Sequence, residues 1–317
     1  MRAYRVLVTA LVLSGPATAD AGKSEYPIEG VELVRVATTS GTITVSTSSS
    51  VKAVQVSSDS DHDDFEHRYE HSGQKHKYKK HKYKRKDKEG RDDEWDDFFR
   101  EDQDDGERVN RRVRKEGKTL YVKYSSDEVD VVLPEGMNVE LSSKSGDLKM
   151  RGKYGVVYGK TMSGDFILVG SAGKVDGGTL SGDVSVEAKA SVLALVSISG
   201  DVSLKGSAKD VNVSSTSGDI GIYYLPEKLD AKTVSGEIRA KGLLSDTAVH
   251  TYETVSGELL LWLTGDEGFT VSANTFDSYI YVDGDRMERR ADKRVGSGAA
   301  TIRVKSMNGD VRIKREK

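Results

Sequence analysis

The tripeptide Ser-Gly-Asp returns at a fixed interval of 18 residues, and that interval leaves this chain few folds to choose from. Copies stand at Ser145-Gly146-Asp147, Ser163-Gly164-Asp165, Ser181-Gly182-Asp183, Ser199-Gly200-Asp201 and Ser217-Gly218-Asp219, with Ser235-Gly236-Glu237 next in phase. The step then widens to 21 at Ser256-Gly257-Glu258, and a worn copy follows another 21 on at Asp277-Ser278-Tyr279. A last copy is Asn308-Gly309-Asp310. Upstream, Ser40-Gly41-Thr42 looks like an isolated copy, and Ser58 lies 18 residues after it. A fixed period of this length marks a repeat architecture, in which each unit buries its apolar face only by stacking on its neighbours.

Within a period the apolar residues alternate. Val184 and Val186 follow one Ser-Gly-Asp; Val192, Ala194 or Leu193, and Val196 precede the next. Alternation by two in Val, Ile, Leu and Thr means strand. Glycine supplies backbone angles that other residues resist, while Ser and Asp bond to nearby backbone, so the tripeptide is a tight turn. Each period therefore reads strand, loose turn, strand, tight turn. The fold class predicted is all-β: a parallel β-solenoid (β-helix) of 18-residue coils over about 129–313, with the copy near Ser40 in an opening cap. A left-handed hexapeptide helix is excluded, because the slot of Val192 holds Asp210 and Lys228 in the next two coils. A calcium β-roll is excluded too: half a period past Ser181 and Ser199 stand Ala190 and Ala208, which carry no ligand.

The run Val131-Val132-Leu133-Pro134-Glu135-Gly136-Met137-Asn138-Val139-Glu140-Leu141, followed by Ser145-Gly146-Asp147-Leu148, resembles the bacterial "putative adhesin" family. That family is a domain of unknown function, built from Ser-Gly-Asp-aliphatic repeats behind a Val-x-Leu-Pro-x-Gly opening. The resemblance spans roughly 31–313 apart from one insertion. It implies an exported, envelope-associated, non-enzymatic protein, and it carries no catalytic residues to transfer.

The address is written at the start. Arg2 and Arg5 precede an apolar run over 6–13, then Ser14-Gly15-Pro16 and Ala17-Thr18-Ala19. This is the layout of a secretory signal peptide over 1–19, cleaved after Ala19. The apolar run is under half the roughly 20 residues a membrane span needs. Stable membrane insertion is therefore not expected, and the protein is placed in the periplasm or at the cell surface. Losing two arginines would take the formal charge from −3 to −5. With Lys+Arg 48 against Asp+Glu 51, the balance excludes a uniformly basic nucleic-acid binder. The absence of cysteine excludes disulfides, thiolate metal sites and Cys nucleophiles.

The chain divides into the signal peptide, N-terminal strands and cap over 20–58, a charged insertion over 59–116, and the repeat domain with its C-terminal cap over 117–317. The insertion holds 19 acids and 17 bases in blocks, with few aliphatics. Such a composition cannot bury enough to offset its ordering entropy, so a long disordered, elaborated turn is expected there. His62, His67, His71, His76 and His81 crowd into it among Asp and Glu. Imidazole and carboxylate together suit zinc, copper or nickel, so weak divalent metal binding stands beside a plain solvated tract; no other cofactor is expected. Trp95, Phe98 and Phe99 would share one face of a helical turn. They read either as anchors for a partner's groove or as rings packed on the protein's own flank.

Catalysis has little support. His250 is the only histidine outside the insertion, and a Ser/His/Asp arrangement would need it beside one particular rung. The Gly155–Lys160 stretch has three residues between its glycines where a phosphate loop needs four. The stacked Asp147, Asp165, Asp183, Asp201 and Asp219 pose a charge problem, solved either by backbone donors or by shared cations. Two readings follow: an adhesin-like scaffold for an envelope or surface protein or glycan, or a periplasmic metal buffer acting through the histidines.

Overall fold

The computed structural model of the chain describes residues 19–20, 23–58, 111–124, 128–266 and 268–316. The described residues contain strands and turns but no helix, and hence no helix long and apolar enough to cross a membrane. The strands form one continuous hydrogen-bonded sheet wound into coils.

The register follows the sequence period. Leu148–Ser163 pairs in parallel with Phe166–Ser181 (Leu148↔Phe166, Ser163↔Ser181), and that strand pairs likewise with Val184–Ser199 (Phe166↔Val184, Ser181↔Ser199). In these three coils the predicted loose turn is not a break, because the strand runs through it with Gly152 opposite Gly170. Later coils do break there: Val202–Ser207 and Asp210–Ser217 are separate strands.

Inside, two columns of apolar residues run the length of the stack. One passes through Val157, Val175, Leu193, Val211 and Leu229; the other through Leu148, Phe166, Val184, Val202 and Ile220, none more than 1% exposed. The ambiguity in the longer apolar stretch resolves as Leu193 and Leu195 inward, with Val192 and Val196 outward and exposed. Side-chain size is matched between columns. The Phe166 ring occupies the space that a Cβ on Gly159 or Gly177 would need, whereas the neighbouring coils carry Leu141 and Leu195 at that position. A large ring and two absent side chains keep the density of the interior even.

The stacking order departs from chain order at both ends. The predicted opening copy at Ser40 is a full coil, not a cap. Leu33–Ser40 and Ile43–Ser48 pair on one side with Asn138–Ser145 and Leu148–Ser163, and on the other with Thr119–Tyr124 and Val129–Pro134. At the far end Val249–Ser256 pairs with Ala300–Asn308, and Phe269–Val282 stacks outside that pair. The last copy in sequence is thus the last but one in space. Ser58 is not a turn. It closes the antiparallel strand Ala53–Ser58 and lies opposite Val129.

Antiparallel strands cover both ends of the stack. Lys23–Pro27 lies on Ala53–Ser58, Arg111–Glu116 on Thr119–Tyr124, and Asp285–Val295 on Phe269–Val282. Arg-Arg-Val-Arg-Lys-Glu over 111–116 and five further cations in Asp285–Val295 charge these outer strands, which discourages edge-to-edge growth of the sheet. The disorder expected over 59–116 does not reach its last six residues, because Arg111–Glu116 is a strand held by the antiparallel ladder to Thr119–Tyr124.

Candidate functional site: the corner ladder and its apolar ridge

At each Ser-Gly-Asp corner the backbone and one carboxylate oxygen bond to a neighbouring coil. The backbone N–H of Asp165 donates to Asp147 Oδ1 at 3.0 Å. The N–H groups of Asp183, Asp201, Asp219 and Glu237 donate to the preceding carboxylate at 2.8 Å each. The worn corner obeys the same rule in spatial order, with Tyr279 N–H donating to Asp310 Oδ1 at 3.2 Å. Thr161, Thr179, Ser197, Ser215 and Thr233 donate their hydroxyls to the glycine carbonyls of Gly146, Gly164, Gly182, Gly200 and Gly218, at 2.9–3.3 Å. Thr161 therefore belongs to the repeat and not to a phosphate loop. These bonds satisfy buried backbone groups that would otherwise be unpaired.

The like charges of the ladder are thereby tied to backbone donors. The Asp165 N–H, aided by Lys149, holds the Asp147 carboxyl below the usual carboxylate range. A depressed value means stabilisation present above the unfolded pKa and lost as pH falls through the folded one, so this contribution disappears in acid below about pH 4. At 4.8 Å two carboxylates still repel by about 0.9 kcal/mol at the dielectric of water. Asp183→Asn keeps the oxygen that accepts from Asp201 and removes one charge, so its melting temperature is expected to hold or rise. Asp183→Ala strands that N–H and is expected to lose about 1 kcal/mol. Thermal unfolding of the pair separates the hydrogen bond from the charge.

Cations do not attend the whole ladder. Lys149 sits 3.1 Å from Asp147; Arg239 serves Asp219 and Glu237; Arg312 reaches Glu258 at 2.6 Å and Asp310 at 2.7 Å. Asp165, Asp183 and Asp201 have no ion pair among the described residues, and beside them the next outward positions are Ile167, Ser185 and Ser203. No three His, Asp or Glu among the described residues come together as metal ligands.

One step before each corner, a side chain points outward. In stacking order these positions hold Met162, Leu180, Ile198, Thr216, Val234, Val255, Met307 and Phe276. The seven apolar ones are each between 41% and 73% exposed. At 4.8 Å per coil they make a ridge about 34 Å long. The fold does not require it: Thr216 occupies the position with the same flanking register, Ser199↔Ser217↔Ser235, and Lys144 does so one coil before Met162. Thr216 divides the row into Met162, Leu180 and Ile198 on one side and Val234, Val255, Met307 and Phe276 on the other.

His250 is fully buried and takes a place in the aliphatic column between Leu229 and Ile302. Its Nε2 donates to the Pro226 carbonyl at 2.8 Å, and its Nδ1 accepts from the Tyr252 hydroxyl at 3.3 Å. Both ring nitrogens are engaged away from any Ser-Gly-Asp serine, so the ring is a structural strut under the Tyr223-Tyr224-Leu225-Pro226 corner. Burial holds its pKa below the ordinary 6.5. A depressed histidine stabilises above its unfolded value and loses that stabilisation as pH falls below it. The melting temperature is expected to decline from about pH 6.5 toward 5, and His250→Leu should flatten that slope while lowering the plateau.

His62, His67, His71, His76, His81, Trp95, Phe98 and Phe99 lie outside the described residues, as does the expected signal peptide apart from Ala19. The ridge carries no motif. Its one trace in the sequence is an apolar residue immediately before Ser in successive repeats.

Stacked coils with wired corners define a β-solenoid repeat protein. The chain belongs to the Toastrack DUF4097 family, which matches residues 100–314. No curated protein matches it. Among solved structures it is similar to a putative adhesin from Bacteroides fragilis, at 14% identity over 93% of this chain and 96% of that one, with a TM-score of 0.44. A putative adhesin from Parabacteroides distasonis gives 10% identity over 92% and 96%, with a TM-score of 0.41. A putative cell adhesion protein from Clostridium sporogenes gives 13% over 93% and 98%, with a TM-score of 0.23. At these scores nothing of those proteins' function passes to this chain.

Proposed function

We propose that this protein is an exported, non-enzymatic component of the cell envelope, periplasmic or surface-exposed, whose solenoid is a rigid scaffold that holds a partner along its apolar ridge. The ridge carries the reading, since seven apolar side chains stand in water at a position the fold fills equally well with Thr or Lys. The non-enzymatic part is supported by the corners, where one oxygen of each Asp and the Ser or Thr hydroxyl two residues before the tripeptide bond to backbone, and by His250, whose nitrogens are both engaged. Export rests on the charged, apolar and small-residue layout of 1–19.

Met162→Ser, Leu180→Ser and Ile198→Ser together are expected to abolish capture of the native envelope partner without lowering the melting temperature. Undiminished capture would remove the ridge from the function. Trp95, Phe98 and Phe99 are proposed as a second contact, tested by replacing all three with Ala in the same assay. The five clustered histidines favour a second reading, a metal buffer acting through the insertion. Deleting 59–110, which spares Arg111–Glu116, should abolish zinc or copper uptake if that reading holds and leave ridge-dependent capture intact if the scaffold reading holds.

A further inference from the structure

We infer that the ridge receives a basic amphipathic α-helix, seated over Met162, Leu180 and Ile198 with its cations along Asp165, Asp183 and Asp201. This inference rests on the scaffold reading and names the chemistry of its partner. Two rows run side by side here. Each corner places its apolar residue three positions before its carboxylate, so the apolar row and the acid row share one spacing of about 4.8 Å. Elsewhere along the ladder Lys149, Arg239 and Arg312 neutralise the acids. Over these three coils one carboxylate oxygen takes a backbone N–H and no cation attends the other, while Val196 widens the apolar surface beside Ile198.

The spacing selects the shape of the occupant. Residues i, i+3 or i+4, and i+7 of a helix rise by about 4.5–6 and then 10.5 Å, against rungs at about 4.8 and 9.6 Å. An extended strand repeats a side chain on one face about every 6.8 Å and falls out of step by the third rung. A second copy of this chain fits poorly. A strip one side chain wide offers less than the roughly 800 Å² per partner of a standard interface, and it would bring a second row of carboxylates with it. An anionic lipid surface is opposed by the same charges.

The test titrates the full-length chain with a synthetic 18-residue Leu/Lys amphipathic helix, alongside a scrambled peptide of the same composition. Asp165→Asn, Asp183→Asn and Asp201→Asn combined keep every ladder acceptor and remove the charge. They are expected to weaken binding about tenfold or more and to flatten its salt dependence. The Met162, Leu180 and Ile198 serine variant should weaken binding comparably while leaving the salt dependence. Melting temperatures verify that each variant is folded. Equal binding of the scrambled peptide, unchanged binding by the asparagine variant, ridge-dependent self-association in sedimentation, or ridge-dependent binding to anionic vesicles would each overturn the inference. If the peptide fails while the serine variant still loses the envelope partner, the scaffold reading stands and the basic-helix reading falls.

Discussion

Gly200→Ala is expected to lose about 3–5 kcal/mol of stability, a large share of what a folded domain holds. Two penalties act together. Gly200 has φ +152°, a region nearly closed to residues with a side chain, and strain there costs about 1–3 kcal/mol. A Cβ at this position would also overlap the carbonyl oxygen of Gly182 in the preceding coil, so the ladder must open to admit it. That opening strains the bonds across the gap, where Gly182 N–H donates to Ser199 O and Asp201 N–H donates to Asp183 Oδ1. Gly136→Ala is the matched control: φ is +83° there but nothing lies within 4 Å of the new methyl, so only the backbone term of about 1–2 kcal/mol remains. Urea unfolding of both variants reads the difference. Similar midpoints would mean that close stacking of the corners contributes little.

Phe166→Ala should cost about 3–5 kcal/mol, the range for emptying a buried ring. Phe166 is fully buried, and its neighbours cannot collapse inward, since Gly159 and Gly177 have no side chains to move into the gap. The reciprocal change is equally informative. Gly177→Leu places a side chain in the ring's volume and should destabilise strongly alone. Combined with Phe166→Val it reproduces the neighbouring coil, where Leu195 and Val184 stand at the matching positions. The double variant is expected to be more stable than either single one, a coupling that only direct contact produces. Additive losses would refute the packing described for these two columns.

These predictions draw on different layers of information. The 18-residue period, the glycine corners, the parallel register and the in-phase Thr161 were all legible in the sequence. A one-residue slip would turn every buried side chain to the surface, so the repeat itself fixes the pairing. The resemblance carried by the Val131–Leu141 run and the Ser-Gly-Asp repeats pointed to the same architecture. What the sequence left open was every choice among equivalents. Leu193 and Val192 are both aliphatic, and alternation by two cannot say which column faces in when both are apolar. The ridge was hidden for that reason: Leu180, Ile198 and Val234 read as ordinary strand residues, and only the stacked coils show them facing water.

The order of the terminal coils was undetermined for a related reason. A coil's edge accepts any neighbour of matching register, so the copies at Ser40 and Asn308 could have stacked in chain order. Tertiary structure placed each one coil inward: Thr119–Tyr124 with Val129–Pro134 forms the outer parallel coil at one end and Phe269–Val282 stacks outermost at the other, and antiparallel Arg111–Glu116, Ala53–Ser58 and Asp285–Val295 cover these edges. The sequence by itself determined the shape of one coil and its spacing to the next. Which coil lies where, which ring fills which gap, and which apolar row remains in solvent were decided by packing between residues far apart in the chain.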